Sequence, residues 1–231
     1  MDGDFWTMAG TIAAWGLALI IAVPMHEAAH GFVAWRLGDD TAYRAGRVTA
    51  NPLRHVDPFG TLLLPGLILL ATGMRFTFGY AKPVPVNFAR LNRPRRDMVL
   101  VAAAGPGINL VLALAAALLL HLIHLLPGAA SFWALQFLTV SLYLNVLLAV
   151  FNLIPVPPLD GGRIAVGLLP APLAYPLARL ERYGIFVVIG GLFLLPLLLS
   201  QVGIHFNPAH WLIERPVAAV IDLVLTIAGV R

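Results

Sequence analysis

The chain has 231 residues, of which 60% are hydrophobic and 11% are charged, whereas ordinary soluble domains are about 45–50% apolar and about 25% charged. The mean hydropathy of +0.87 predicts an integral membrane protein, because a soluble fold cannot bury so much apolar surface. The chain has no cysteine. This excludes disulfides, thiolate metal sites and cysteine nucleophiles, so any metal ion must be bound by histidine and carboxylate side chains.

The net charge of +4 arises from 15 Lys and Arg residues against 11 Asp and Glu residues. A basic excess also suits nucleic-acid binding, but here the arginines lie in short segments between apolar runs, where positive charge orients a membrane protein. We therefore exclude nucleic acid as a partner and take the lipid bilayer as the environment. The same rule places residues 36–97 and 155–182 inside the cell, and the N-terminus and the 127–131 turn outside.

The first apolar run covers residues 5–35, and its one charged residue is Glu27. At about 1.5 Å per residue this run is long enough to cross a bilayer as one helix. Residues 36–59 are rich in arginine and turn-forming residues and indicate an aqueous loop. Residues 60–73 are apolar but too short for a full crossing, so we expect a re-entrant segment. A full crossing would also put two arginine-rich segments on opposite sides of the membrane.

Residues 98–159 contain no Asp, Glu, Lys or Arg. Pro127 and Gly128 divide this stretch into two predicted spans, residues 98–126 and 132–154, joined by a short turn. Two later runs complete the pattern: a span over 183–202 and a short one over 217–230.

The last run contains Asp222, for which we expect a partner in a neighbouring span, because ionisable groups within a membrane usually pair. The fold class that follows is an all-α polytopic membrane protein with about five to six transmembrane helices and a re-entrant or extended segment after the first.

The first span contains His26, Glu27 and His30 as an HExxH sequence. On a helix the two histidines lie on one face, so both imidazoles can reach one metal ion. Glu27 points about 100° away from His26, which suits a general base acting on a water at the metal. An acidic residue in this apolar run costs on the order of 3 kcal/mol, which a functional site would offset. The alternative is that Glu27 and the two histidines form a buried polar cluster that holds helices together.

Zinc in hydrolases commonly takes three protein ligands, so the HExxH pair predicts a third. Asp160 is the first charged residue after the neutral stretch and follows three prolines. The prolines end the helix, and Gly161 and Gly162 let the chain bend the carboxylate towards the metal. The alternative is an ordinary aspartate at a helix end near the interface. Together with the two histidines, Asp160 is the best ligand available.

Five segments, in this order, resemble the site-2 protease family of intramembrane zinc metallopeptidases, and the likeness covers roughly residues 10–165. They are HEAAH (26–30), NPLRHVDP (51–58), FGYAKPVPVN (78–87), AGPGIN (104–109) and the stretch from Asn152 to Gly161 that contains LDG.

The resemblance implies that His26, His30 and Asp160 bind one zinc ion and that Glu27 is the catalytic base. It also places Asn109 and Asn152 near the active site, where their amides would hold or polarise the substrate backbone; hydrogen bonding between helices is the alternative.

The implied protein is a compact, multi-pass member in the cell membrane without PDZ or CBS modules. It would be one membrane-embedded peptidase domain over 1–231, with a catalytic core at about 10–165 and accessory helices at about 166–231. Its active site would face the cytoplasm, and its substrates would be membrane proteins with a transmembrane helix. The prolines in 82–86 predict an extended edge that could pair with a substrate strand, or an ordinary loop.

Two other classes remain open from the sequence. A membrane metal sensor or carrier would use the same three ligands, but it has no need of Glu27 between the histidines. A purely structural helical bundle would bind no stoichiometric metal.

Overall fold

The structure is a computed structural model that describes residues 2–57 and 82–231, with isolated positions 59, 63, 67 and 70 between them. The described residues form helices and connecting loops and contain no strand, which confirms the all-α prediction. The predicted re-entrant segment 60–73 lies, apart from isolated positions, outside the described residues.

Nine α-helices account for most of the described chain, with short 3-10 and π-helical turns between some of them. They are α1 (Asp2–Arg36), α2 (Thr41–Arg44), α3 (Pro94–Leu119), α4 (Gly128–Asn152), α5 (Asp160–Leu168), α6 (Ala171–Arg179), α7 (Gly184–Ile189), α8 (Leu195–Gln201) and α9 (Arg215–Ile227). The 3-10 turns are Pro52–Arg54, Phe88–Arg90, Leu120–Leu125 and Leu180–Arg182, and the π-helical turns are Gly190–Leu194 and His210–Glu214.

Three of these helices are long and apolar enough to cross a membrane. They agree with the predicted first span and with the two spans predicted on either side of Pro127. Within the described residues, a fourth crossing is reached only if residues 171–182 and 186–201, which are bent by 87°, are counted as one span. Helix α9 has 13 residues, fewer than the roughly 20 that a bilayer requires. The total of five to six spans stays a prediction.

Helix α3 lies at the centre of the bundle and contacts α1, α4, α5 and α9. Small side chains allow these close approaches, as is usual where membrane helices pack. Ala18 and Ala22 of α1 pack against Leu144 of α4. A larger core joins α3, α4 and α9 and contains Ala113, Ala116, Ala117, Leu138, Leu142, Val146, Val217 and Val224.

Residues 82–87 lie beside α1 and are not helical. The prolines predict this, because Pro83 and Pro85 have no backbone N–H to donate a helical hydrogen bond. Backbone and side-chain hydrogen bonds fix this extended segment to the first part of the chain. They join Lys82 N to His55 O (3.0 Å), Arg47 Nη2 to Lys82 O (2.5 Å) and Asn87 N to an Asp39 carboxylate oxygen (2.6 Å).

Asp39 is fully buried in the loop after α1. One carboxylate oxygen accepts hydrogen bonds from Thr41 N (3.1 Å) and Thr41 Oγ1 (2.5 Å), and the other accepts from Asn87 N (2.6 Å). Burial raises the pKa of this carboxyl, but the hydrogen bonds outweigh burial and hold the pKa below its ordinary value. Asp39 therefore links the end of α1 to the extended segment.

The prediction that Asp222 has a partner is confirmed, but the predicted location of that partner, in a neighbouring span, is wrong. Among the described residues, its carboxylate pairs with Arg231, nine residues further along the same C-terminal stretch, and not with a neighbouring span. Both side chains are more than half exposed. A basic residue that follows the helix closely supplies the counter-charge without a second helix.

Candidate metal centre

His26 and His30 lie one turn apart on α1, and their Nε2 atoms are 3.0 Å from each other. Helix α1 continues through Pro24, two residues before His26. The i, i+4 spacing puts both rings on one face of the helix, and that face meets α3. The sequence prediction that one ion can reach both imidazoles therefore agrees with the geometry.

The second nitrogen of each ring is held by α3. His30 Nδ1 lies 2.7 Å from the carbonyl oxygen of Val101, and His26 Nδ1 lies 2.6 Å from Asn109 Oδ1. A backbone carbonyl only accepts hydrogen bonds, so His30 Nδ1 carries the proton and donates. The Nε2 lone pair of His30 is consequently free for a metal, an arrangement that commonly orients ligating histidines.

Asp160 reaches the two rings from the start of α5. The prolines of the loop after α4 lack N–H groups and prevent α4 from continuing. Gly162 lies so close to this loop that an added Cβ would be 2.1 Å from Pro157 N, so only glycine allows the chain to turn here. Asp160 is buried, and its carboxylate faces the Nε2 atoms of both rings.

The three side chains close a small triangle. Asp160 Oδ2 is 3.2 Å from His26 Nε2 and 3.3 Å from His30 Nε2. Ligand atoms at about 2.0–2.2 Å from a tetrahedral zinc ion are about 3.3–3.6 Å apart, so the triangle is close to the size of one face of that tetrahedron and slightly smaller. Oδ2 is buried and has no hydrogen-bond partner among the residues that the structure describes. A divalent cation bound by these atoms would satisfy it.

Gly105 of α3 leaves room beside this triangle. A Cβ added there would lie 2.4 Å from His30 Nε2 and 2.5 Å from His26 Nε2. Real side chains do not approach this closely, so any larger residue would push both rings away. The small residue of α3 therefore keeps open the space in which the three ligand atoms meet.

Glu27 lies next to this group but is not a member of it. Its Oε2 accepts a hydrogen bond of 2.7 Å from Val84 N, in the extended segment. Both residues line a cavity of about 280 Å³, to which His26, His30 and Asp160 also contribute. The cavity thus brings a carboxylate with a fixed orientation and the candidate metal ligands to one space.

The two asparagines that the sequence singled out occupy different places. Asn109 is fully buried, and both ends of its amide are used, by His26 and by Asn145. Asn152 lines the cavity, and its Nδ2 donates to Leu148 O at 3.0 Å. Of the pair, it is Asn152 that lines the cavity shared with the candidate metal ligands.

Sequence reasoning missed Asn145, Gly105 and Arg163. Arg163 lines the cavity one turn after Asp160 and pairs with Glu181 at 3.0 Å. Asn145 had a usable signal, since a carboxamide in an otherwise apolar span predicts a buried partner. Gly105 lies in the AGPGIN segment (104–109), but its role could not be predicted because it depends on which helix packs against the histidines.

Comparison with known proteins gives a consistent result. The family model described as Peptidase family M50 matches residues 121–197. A Bacillus subtilis protein named "Putative zinc metalloprotease YwhC" is 43% identical over 185 residues, which cover 78% of this chain and 80% of the relative. The Mycobacterium tuberculosis protein of the same description, Rip2, is 34% identical over 208 residues, covering 88% of this chain and 72% of the relative.

A Rip2 protein of Mycolicibacterium smegmatis is 35% identical over 181 residues, which cover 77% of this chain and 64% of the relative. No solved structure matches the chain significantly. The resemblance that the five sequence motifs predicted is confirmed, with relatives that share most of their length with it. The chain belongs to peptidase family M50, the site-2 protease family.

Proposed function

We propose that this protein is a zinc-dependent intramembrane endopeptidase in which His26, His30 and Asp160 bind the metal and Glu27 is the general base. The observation that supports this assignment most strongly is the triangle of ligand atoms at 3.0, 3.2 and 3.3 Å. Membership of family M50 and relatives named as zinc metalloproteases support zinc as the ion. Two neutral imidazoles and one carboxylate are ligands that zinc prefers.

A zinc ion held there supplies the Lewis acid that polarises the scissile carbonyl and makes a water nucleophilic near neutral pH. Glu27 accepts a proton from that water at its carboxylate and passes it to the leaving amine. The hydrogen bond from Val84 N fixes one carboxylate oxygen of Glu27, so the group is oriented before substrate arrives. As a carboxylate ligand, Asp160 would cancel part of the charge of the bound metal.

The substrates are membrane proteins, and we propose that the bond cleaved lies in a transmembrane segment near the cytoplasmic side of the cell membrane. The candidate ligands lie in the C-terminal third of α1 and just after α4. Both positions adjoin the arginine-rich segments that the positive-inside rule assigns to the cytoplasm. A helical substrate must unwind to expose its carbonyls, and the extended segment 82–87 offers an edge beside Glu27 for the unwound chain.

Within this proposal, one peptidase domain comprises residues 1–231. The catalytic core, about 10–165, contains all four proposed catalytic and ligating residues, and the accessory helices follow at about 166–231. A metal sensor or carrier is not favoured, because such a protein gives no role to Glu27 and family M50 is a peptidase family.

Replacement of Glu27 by Gln tests the function directly. The protease account predicts retained zinc and a loss of cleavage of about 10²–10⁴-fold, the range for a positioned acid–base group. Zinc content and cleavage of a panel of single-span substrates are measured on the same purified protein. Glu214→Gln is the matched control, since Glu214 is exposed and pairs with His210. Full peptidase activity in Glu27→Gln would exclude the assigned base.

A further inference from the structure

A row of buried hydrogen-bonded side chains runs from His26 into the middle of the bundle. Asn109 of α3 contacts His26 Nδ1 (2.6 Å) through Oδ1, and its Nδ2 donates to Asn145 Oδ1 of α4 (2.8 Å). Asn145 Nδ2 donates in turn to the backbone carbonyl of Ser141 at 2.9 Å. Asn109 and Asn145 are 0% and 1% exposed, so water does not reorganise this row.

The donor and acceptor of each hydrogen bond in this row are fixed, and the backbone carbonyl of Ser141 determines them. A backbone carbonyl only accepts, so Asn145 must turn its NH₂ group towards Ser141 and its oxygen towards Asn109. Asn109 must then donate through Nδ2 to that oxygen, which leaves its own Oδ1 facing His26. An amide oxygen also only accepts. His26 therefore carries its proton on Nδ1.

We infer that Asn145 is a positioning residue that sets the tautomer of His26 through Asn109, and so keeps the His26 Nε2 lone pair directed at Asp160. This inference rests on the proposed function, in which His26 is a zinc ligand. If Asn109 were reversed, its NH₂ group would face His26 Nδ1. The proton would then move to Nε2, and that nitrogen could not bind a metal.

The two histidines are thus oriented by different means. The carbonyl of Val101 fixes His30 directly, and backbone carbonyls cannot reverse. His26 depends on an amide that can present either end, and an acceptor at position 145 removes that freedom. The polar side chain of Asn145, which touches no candidate ligand, has a specific task in this arrangement.

A hydrogen bond elsewhere between α1 and α4 provides a matched control. Gln136 Nε2 donates to Thr11 Oγ1 at 2.6 Å and joins α4 to α1, whereas Asn145 joins α4 to α3. The contact of Gln136 with Thr11 involves none of the candidate ligands. Asn145→Leu and Gln136→Leu each replace an amide by an apolar side chain on α4. If Asn145 only holds helices together, both changes lower the unfolding temperature and neither lowers zinc affinity selectively.

The experiment measures zinc affinity by chelator competition, and the unfolding temperature of the metal-free protein, for full-length chains in detergent. We expect Asn145→Leu to weaken zinc binding by about 10-fold or more, the effect of losing an outer partner of a ligand. We expect Asn145→Asp to stay within about 3-fold of the unsubstituted protein, because its carboxyl oxygen still accepts from Asn109. Gln136→Leu should leave zinc affinity unchanged. Asn145→Ala replaces the leucine variant if that chain does not fold.

A double-mutant cycle isolates the orienting role. A carboxylate at position 109 accepts from His26 whichever way it turns, so in an Asn109→Asp background the effect of Asn145→Leu on zinc affinity should disappear. Nitrogen NMR shifts of the His26 ring in metal-free protein give a readout that needs no zinc. They should report the Nδ1–H form in the unsubstituted chain and a gain of the Nε2–H form in Asn145→Leu.

The results separate this inference from the proposed function. Unchanged zinc affinity in Asn145→Leu, or an unchanged His26 tautomer, overturns the orienting role while the zinc site stands. Absence of stoichiometric zinc from the unsubstituted protein overturns the proposed function, and the tautomer measurement still decides the role of Asn145.

Discussion

The region between α1, α3 and α5 and the region after α6 use the same residue types differently. In the first, His26, Asp160 and Asn109 are buried, and their polar atoms converge on one small space. In the second, His210 pairs with Glu214 and Asp222 pairs with Arg231, and the four side chains are 45–64% exposed. Exposed pairs of this kind contribute about 0–1 kcal/mol each.

The difference shows that burial and convergence, and not residue type, distinguish a candidate site from a solvated surface. A buried polar group is costly unless its partners are in place, and hydrogen bonds supply those partners for His26 and Asn109. Asp160 Oδ2 lacks a partner among the described residues, and a bound cation would supply one. The C-terminal pairs need no ligand to explain them.

Substitution of Gly105 by Ala should weaken zinc binding and lower the stability of the fold. The new Cβ would lie within 2.5 Å of Nε2 of both His26 and His30, so we expect zinc affinity to fall by at least about 10-fold. Overpacking should also lower the free energy of unfolding by about 1–3 kcal/mol. Chelator competition and thermal unfolding measure the two effects.

Gly107→Ala is the matched control on the same helix, because a Cβ there meets no atom within 4 Å. We expect unchanged zinc affinity and a gain in stability of up to about 1 kcal/mol from helix propensity. Equal zinc affinities for the two alanine variants would show that α3 does not shape the site.

An effect on stability, away from the candidate metal ligands, is expected when Asp39 is replaced by asparagine. Its carboxylate accepts hydrogen bonds from Thr41 and from Asn87 N, and each hydrogen bond to a charged group contributes about 1.5–3 kcal/mol. We expect the Asp39→Asn substitution to lower the free energy of unfolding by a similar amount near pH 7. Asp222→Asn, in the exposed pair, should lower it by no more than about 1 kcal/mol. Denaturant unfolding of both variants measures the difference.

The pH dependence of stability should also differ between the unsubstituted chain and Asp39→Asn. The pKa of Asp39 is lower in the folded chain than its unfolded value of about 3.9, so the folded state binds fewer protons. Its stabilisation is complete above that value and is lost as the pH falls through the folded pKa. Unfolding followed from about pH 6 to about pH 3 should show this loss in the unsubstituted chain and a weaker loss in Asp39→Asn. Identical profiles would contradict the role of Asp39.

Much of this arrangement could be predicted from the sequence. The spacing of His26 and His30 sets their common face, because helical periodicity is local. The presence of α3 and α4 and their approximate positions followed from the neutral stretch and the turn at Pro127, since apolar length is set by the bilayer. The predicted ends, at 98–126 and 132–154, differ from the observed ends by two to seven residues. Asp160 could be paired with the histidines by elimination, as the chain has no cysteine and few intramembrane acids.

The remaining features depend on tertiary packing. The approach of Gly105 to both imidazoles requires that α3 cross α1 at this level. The hydrogen bond from Val84 to Glu27 depends on the path of a loop that no periodicity describes. At Asp222 the sequence was sufficient but was misread. We expected a partner in a neighbouring helix, whereas the partner is Arg231 in the same C-terminal segment.

The most direct test of the central claim is the zinc content of the purified protein compared with that of Asp160→Asn, both prepared without chelator. The account predicts about one zinc ion per chain in the unsubstituted protein and loss of most of it in the variant, because a neutral amide replaces the anionic third ligand. Full retention of zinc by Asp160→Asn, with unchanged affinity, would contradict a site formed by His26, His30 and Asp160.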